Sequence, residues 1–218
     1  MDTDALADAA EQVAALALRF GEIERTACQH PDGRPETDAT HTVMLSWLAP
    51  ALAALLYPDI LDTGLVAAFA SVHDAVEVFA GDTPTLRITP AERAAKHQRE
   101  QAAALRWQDM FLHLLPWLPA MIARYEDRVE PEVRFVWGVD KCCPALVHAS
   151  NGARDLAEYG MTADEQDERR KLHREEMAPY VAEFPALLDL RDVLSARLAV
   201  LLRAREAEGR PGTPMRVR

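Results

Sequence analysis

Proline and glycine cut this chain into apolar stretches with helical spacing, and that punctuation restricts it to a bundle of helices. Residues 2–20 set Leu6, Ala9, Val13, Leu16 and Leu18 along one stripe and stop at Gly21. The run HTVMLSWLAPALAALLY predicts a second helix from Thr40 to near Tyr57, because Pro58 disfavours helical backbone in the residue before it. Asp62 or Thr63 caps a third, which carries Leu65, Phe69, Val72, Val76 and Phe79 on to Gly81 and Pro84. Thr89, Pro90 and Glu92 open a long fourth helix toward Leu115, where Pro116 and Pro119 interrupt it. A short helix over 120–128 follows, then one from Pro131 through Phe135, Val136 and Val139 toward Pro144, and two more over 163–180 and 185–206. Between 22 and 40 the cluster Pro31, Asp32, Gly33, Arg34, Pro35 predicts an ordered loop, since these residues favour turns. No segment alternates in the manner of a strand and no repeat recurs. The expectation is an all-α bundle of about seven to nine helices. It forms one domain over 1–208, with a core at 20–150, a helical extension at 160–208 and a disordered tail at 209–218.

Scarce glycine and a formal net charge of −11 sharpen this reading. Without a Lys/Arg-rich block, an acidic chain is a poor ligand for long nucleic acid, whose affinity comes from phosphate neutralisation. A small anion is a different matter, because a few local cations and a metal can make one positive pocket. The start MDTDALADAA lacks a basic region followed by an apolar one, and no apolar run is read as reaching the roughly 18–20 residues that span a bilayer, so no membrane and a cytoplasmic setting are expected. Cys28, Cys142 and Cys143 match neither a disulfide framework nor a zinc spacing and are expected as reduced, partly buried thiols.

His73 and Asp74 stand inside the otherwise apolar stretch SVHDAVEVFAGDTPT, where ionisable groups are costly without partners. A His-Asp pair in a helix is ordinarily an ion pair or a half-buried histidine. A divalent metal is the sharper reading, since imidazole and carboxylate are both standard ligands. Glu77 falls on the same helical face as His73 and Asp74, within reach of a water. His41 on the preceding helix and Asp140 in FVWGVDK are again polar residues among apolar neighbours, and four ligands from three helices form one cage.

This order, a His, then His-Asp, then a distant Asp, resembles the HD-domain hydrolases. HDAVEVFAGDTPT is similar to the bacterial 5′-deoxynucleotidase branch, in which His-Asp is followed by Glu and then Gly-Asp-x-Pro-Thr: here His73, Asp74, Glu77, Gly81, Asp82, Pro84 and Thr85. Arg25, Glu36 and His41 repeat that branch's upstream order, although Thr26 follows Arg25 where the branch has Trp, and a Pro-Asp-Gly-Arg turn lengthens the loop. The resemblance covers about residues 20–150. It implies His41, His73, Asp74 and Asp140 as ligands of one divalent metal (Co, Mn, Mg, Ni or Fe), Glu77 as the group that activates water, and Arg25 as the group that orients the phosphate. Asp82, Thr83, Pro84 and Thr85 would line the nucleotide site, joined by Lys141, whose alternative is a pair with an acid outside the site. The implied reaction is hydrolysis of a 2′-deoxyribonucleoside 5′-monophosphate by a homodimer.

Two alternatives stay open at this point. A deoxynucleoside triphosphate triphosphohydrolase of the same class would need a longer basic channel, and a non-catalytic HD-fold binding protein would not need all four ligands with Glu77. Lys96 and Arg99 follow the Gly-Asp-Thr-Pro-Thr turn and either face the phosphate or lie in solvent. Trp47, Trp107, Trp117 and Trp137 are expected in the core. The stretch DEQDERRKLHREE predicts a solvated helix laced by pairs four residues apart.

Overall fold

The helices of this chain begin where a side chain accepts the first N–H groups that have no intrahelical partner. In the computed structural model, which describes residues 2–209, Asp2 accepts from Asp4 and Ala5 at the start of α1 (Thr3–Phe20). Thr37 and Thr40 close a reciprocal cap on α2 (Asp38–Leu56), and Asp62 caps α3 (Thr63–Val72). The one-turn α4 (Glu77–Ala80) ends at Gly81, whose φ of 72° suits glycine. Thr89 and Glu92 cap α5 (Pro90–Phe111) as the sequence predicts. There follow α6 (Trp117–Asp127), α7 (Pro131–Asp140), α8 (Cys143–Ser150), the short α9 (Arg154–Glu158), α10 (Ala163–Met177) and α11 (Pro185–Ala207). Nine helices of eight residues or more, among the described residues, make the chain all-α as expected. Apart from Gly209, the tail expected over 209–218 lies outside the described residues.

Three expectations about secondary structure are corrected. The region read as a loop contains β1 (Glu24–Gln29) and β2 (Pro35–Thr37), paired in a two-stranded sheet whose tip is the Pro-Asp-Gly-Arg turn, with Gly33 at φ 91°. Helix three does not run unbroken through His73: residues 73–76 are a turn, with bonds from Ala75 N–H to Val72 O and from Glu77 N–H to Asp74 O in place of the four-residue α spacing. Pro119 does not break a helix either, because it lies in the first turn of α6, where its missing N–H has no partner to lose.

The described residues fall into two compact units. The first comprises Met1–Thr26 and Thr37–Val136. In it α2 packs on α3, α3 and α5 pack on α6, and α4 packs on α5. Leu45, Phe69, Phe111, Ile122 and Phe135 fill its core. Asp38, His41, Leu45, Ala49 and Ala53 form the buried stripe of α2, so two ionisable side chains ride on a helix face that is otherwise apolar. Trp107 is buried, but Trp47 and Trp117, expected inside, are 75% and 54% exposed. By length and composition alone, Asp38–Leu56 and the stretch Thr63–Ala80 are apolar enough to cross a membrane, against the reading that no run is; a soluble protein's core helix passes the same measure.

The second unit comprises the described residues of Ala27–Glu36 and Trp137–Arg218. Here α10 and α11 form a hairpin, and α8 and α9 pack on α11. All three cysteines are buried thiols, and burial pushes Cys142 up to about 12. Gly138 is a tight point: a Cβ there would come 2.7 Å from Leu187 Cδ1 and 2.9 Å from Val181 Cγ1. Both neighbours are fully buried. Overpacking of this kind costs about 1–3 kcal/mol, against roughly 1 kcal/mol that alanine returns through helix propensity. Gly138→Ala is therefore expected to lower the urea midpoint of unfolding, and an unchanged or higher midpoint would show that the pocket yields.

Candidate functional site

The turn at residues 73–76 is what gathers the ionisable groups of the first unit. His73 is at the end of α3, with Nδ1 3.0 Å from the carbonyl oxygen of Ala70. A carbonyl only accepts, so Nδ1 carries a proton and, in the neutral ring, Nε2 keeps the lone pair. Nε2 lies 2.8 Å from Asp74 Oδ2, placed to donate to that carboxylate when the ring is charged and to ligate a cation when it is neutral. Fixing one ring nitrogen on a carbonyl so that the other can ligate is the usual arrangement of a metal-binding histidine. His41, fully buried on α2, brings its ring centroid to 5.2 Å from that of His73 and its Nε2 to 3.8 Å from Asp74 Oδ2.

Asp74 is the hub. Arg25 in β1 donates from Nη1 to Asp74 Oδ2 at 3.0 Å and to Asp38 Oδ1 at 3.3 Å. Burial works against its charge, yet His73, Arg25 and His41 together hold Asp74 well below the ordinary carboxylate range. Asp38, Asp74 and Glu77 each offer an oxygen within 4.8 Å of the other two. Asp38 Oδ2 and Glu77 Oε2 are buried and no N–H donor reaches either, while a side-chain hydrogen bond with Glu77 favours the ionised form of Asp38. Burial, then the charge of Asp74, pushes Asp38 up to about 6; burial with Asp74, Asp82 and Asp38 pushes Glu77 up to about 10. Three crowded carboxylates beside an imidazole lone pair are a donor set that fits a divalent cation, which would remove the repulsion that raises them.

Glu77 has a cation of its own. Lys96 on α5 donates to Glu77 Oε1 at 2.9 Å and pairs with Glu100 at 2.8 Å. Burial pulls on the Lys96 ammonium, but the two carboxylates outweigh it and hold its pKa above the usual value. Oε1 of Glu77 is thus fixed while Oε2 remains available to a ligand.

The other predicted residues are less uniformly placed. Burial raises Asp82, offset by Arg25, Lys96 and a bond from Thr26 N–H. Thr83 accepts from Arg99 at 2.6 Å. Pro84 is half-buried and Thr85 exposed in the same loop. Asp140 and Lys141 belong to the second unit, where Asp140 ends α7, is 8% exposed and accepts from Lys141 at 2.7 Å. Lys141 also stacks over Trp137, 5.4 Å from the ring centroid. The first unit therefore brings together Arg25, His41, His73, Asp74, Glu77 and Asp82. Asp38 was missed, because an acid in the first turn of a helix reads as ordinary support for its dipole. Lys96 had its only signal in its place after the Gly-Asp-Thr-Pro-Thr turn.

A family model described as an HD domain matches residues 18–181. The fold is similar to the crystal structure of a predicted metal-dependent phosphohydrolase from Magnetospirillum magnetotacticum MS-1, with a TM-score of 0.64 and 22% identity over 96% of this chain and 97% of that one. No curated protein matches the chain.

Proposed function

The chain belongs to the HD-domain family, and we propose that it is a soluble, cytoplasmic, metal-dependent phosphohydrolase that cleaves the phosphate ester of a 2′-deoxyribonucleoside 5′-monophosphate. The observation that carries the metal and the hydrolysis is His73 Nε2 set 2.8 Å from Asp74, whose carboxylate is crowded by those of Asp38 and Glu77. The nucleotide rests on the resemblance of His73–Thr85 to the 5′-deoxynucleotidase branch, and the homodimer rests on that resemblance as well.

His41, His73, Asp74 and Asp140 are the proposed metal ligands. A bound divalent cation supplies Lewis acidity toward a phosphoryl oxygen and eases deprotonation of water. The rest falls to side chains. Glu77 accepts the proton of the attacking water on Oε2, with Oε1 held by Lys96. Arg25 gives a phosphate oxygen a guanidinium that here spans Asp38 and Asp74. Asp82, Thr83, Pro84 and Thr85 line the sugar and base, and Lys141 is the proposed second contact to the phosphate.

Phosphate release from deoxy- and ribonucleoside mono- and triphosphates tests this, using metal-stripped protein resupplied with Co, Mn or Mg. Orthophosphate from deoxymonophosphates alone is the expected result. Tripolyphosphate from deoxynucleoside triphosphates would replace the monoester reading with triphosphohydrolysis, and no release from any of them, with metal bound, would overturn the nucleotide assignment.

A further inference from the structure

The second unit holds a separate array of reactive groups that phosphate chemistry does not use. Cys28 in β1 sits with Sγ 4.0 Å from Nε2 of His148 on α8. The other nitrogen of that ring, Nδ1, is 2.9 Å from Oδ2 of Asp155 on α9. All three are buried: Cys28 is 5% exposed, His148 7% and Asp155 1%.

Asp155 is held as an anion. Its Oδ2 also accepts from the Gln29 N–H at 3.0 Å and its Oδ1 from the Leu156 N–H at 2.8 Å. Burial would favour the neutral acid, but His148, Asn151 and the Gln29 N–H keep its pKa below the ordinary value. An ionised carboxylate only accepts, so His148 must carry its proton on Nδ1 and present the lone pair of Nε2 to the thiol. A thiol facing a base whose tautomer is fixed by a carboxylate is the arrangement that generates a nucleophilic thiolate. Cys142 and Cys143 provide the contrast within the same unit. Their Sγ atoms lie 3.5 Å from the carbonyl oxygens of Gly138 and Val139, which stabilise the protonated thiol.

We propose that Cys28, His148 and Asp155 form a peroxide-reactive thiol site, at which Cys28 is oxidised to a sulfenic acid by hydrogen peroxide or a small hydroperoxide. The Cys28 proton passes to His148 Nε2 and the thiolate attacks one peroxide oxygen. The S–O bond forms as the O–O bond breaks. The departing hydroxide takes the proton back from His148 as water. Sulfur loses two electrons and the peroxide gains them, so thiol and hydrogen peroxide give sulfenic acid and water. Hydrogen peroxide is small and uncharged, which suits a thiol this enclosed.

The test is sulfenic-acid trapping with dimedone on the intact, folded chain during exposure to hydrogen peroxide, resolved by peptide mass. Cys28 is expected to label at least about tenfold faster than Cys142 and Cys143, with a rate that levels off below the ordinary thiol range near pH 8.5. His148→Gln and Asp155→Asn are each expected to slow Cys28 by about tenfold. Simple loosening of the unit by either variant would instead speed the labelling of all three cysteines. Equal labelling of the three cysteines in the unaltered chain would overturn the site. So would a Cys28 rate that follows an ordinary thiol titration, or one that both variants leave unchanged or raise.

Discussion

Glu77→Gln is expected to lower kcat for the best phosphate ester by about 10²–10⁴-fold, the usual contribution of a positioned general base, while KM stays within a few-fold. Glutamine keeps the size and shape of the side chain, and its amide oxygen can still accept from Lys96. What it lacks is a second oxygen able to take a proton, at the position of the buried Glu77 Oε2. Without a divalent cation, burial and the surrounding carboxylates push Glu77 up to about 10, so the side chain holds its proton at neutral pH and is a poor base. A cation held by the four proposed ligands next to Glu77 favours its ionised form, which couples the base to the metal. The variant should therefore bind metal as the unaltered chain does, because Glu77 is not among the four proposed ligands. Measuring metal content beside kcat separates the two roles. A loss of metal along with activity would make Glu77 a ligand, and a kcat within threefold of the original would remove it from the mechanism.

Much of this organisation could be read from the sequence wherever a local rule decides the structure. Thr89, Pro90 and Glu92 specify the start of α5 by chemistry confined to four residues, and Asp62 does the same for α3. The hairpin escaped because β2 is three residues long and begins with a proline, while β1, six residues long, reads ERTACQ with no alternation of large apolar and polar residues. What defines the hairpin is backbone pairing, which leaves no mark on residue type. The break at His73 was equally hidden, since all of Val72–Phe79 suits a continuous helix and the turn tightens the spacing without any glycine or proline. Trp47 and Trp117 show the limit of the apolar-means-buried inference: an α2 that is apolar all round gives no sign of which face turns inward. At the site, His73, Asp74 and Glu77 stood out because charge is rare in an apolar run. Asp38 did not, because what makes it unusual is its burial and then the charge of Asp74, far away in sequence.

Metal-stripped protein given Co or Mn at about 100 times its dissociation constant is expected to gain roughly 2.7 kcal/mol of stability. For a chain of this size that corresponds to a rise in Tm of about 5–10 °C. The reason lies in the metal-free site itself: Asp38, Asp74 and Glu77 are crowded within 4.8 Å, and folding must hold them there against mutual repulsion and lost hydration. Arg25 and Lys96 offset only part of this, as the raised values of Asp38 and Glu77 show. A divalent cation bound to the folded state alone shifts the folding equilibrium by mass action, whatever its catalytic role. His73→Ala removes the imidazole lone pair and Asp74→Asn removes the central charge. Each should reduce the metal-induced rise, measured from the variant's own metal-free Tm, to about half or less, since loss of one ligand weakens binding by at least tenfold and leaves about 1.4 kcal/mol or less of the gain. Glu11→Gln, which removes an exposed acid of α1, should keep the full rise and so excludes loose binding to an acidic surface. A rise that survives in both His73→Ala and Asp74→Asn would place the cation elsewhere in the molecule, and no rise with any of the metals would mean that the cluster is a buried charge network held by Arg25 and Lys96 alone.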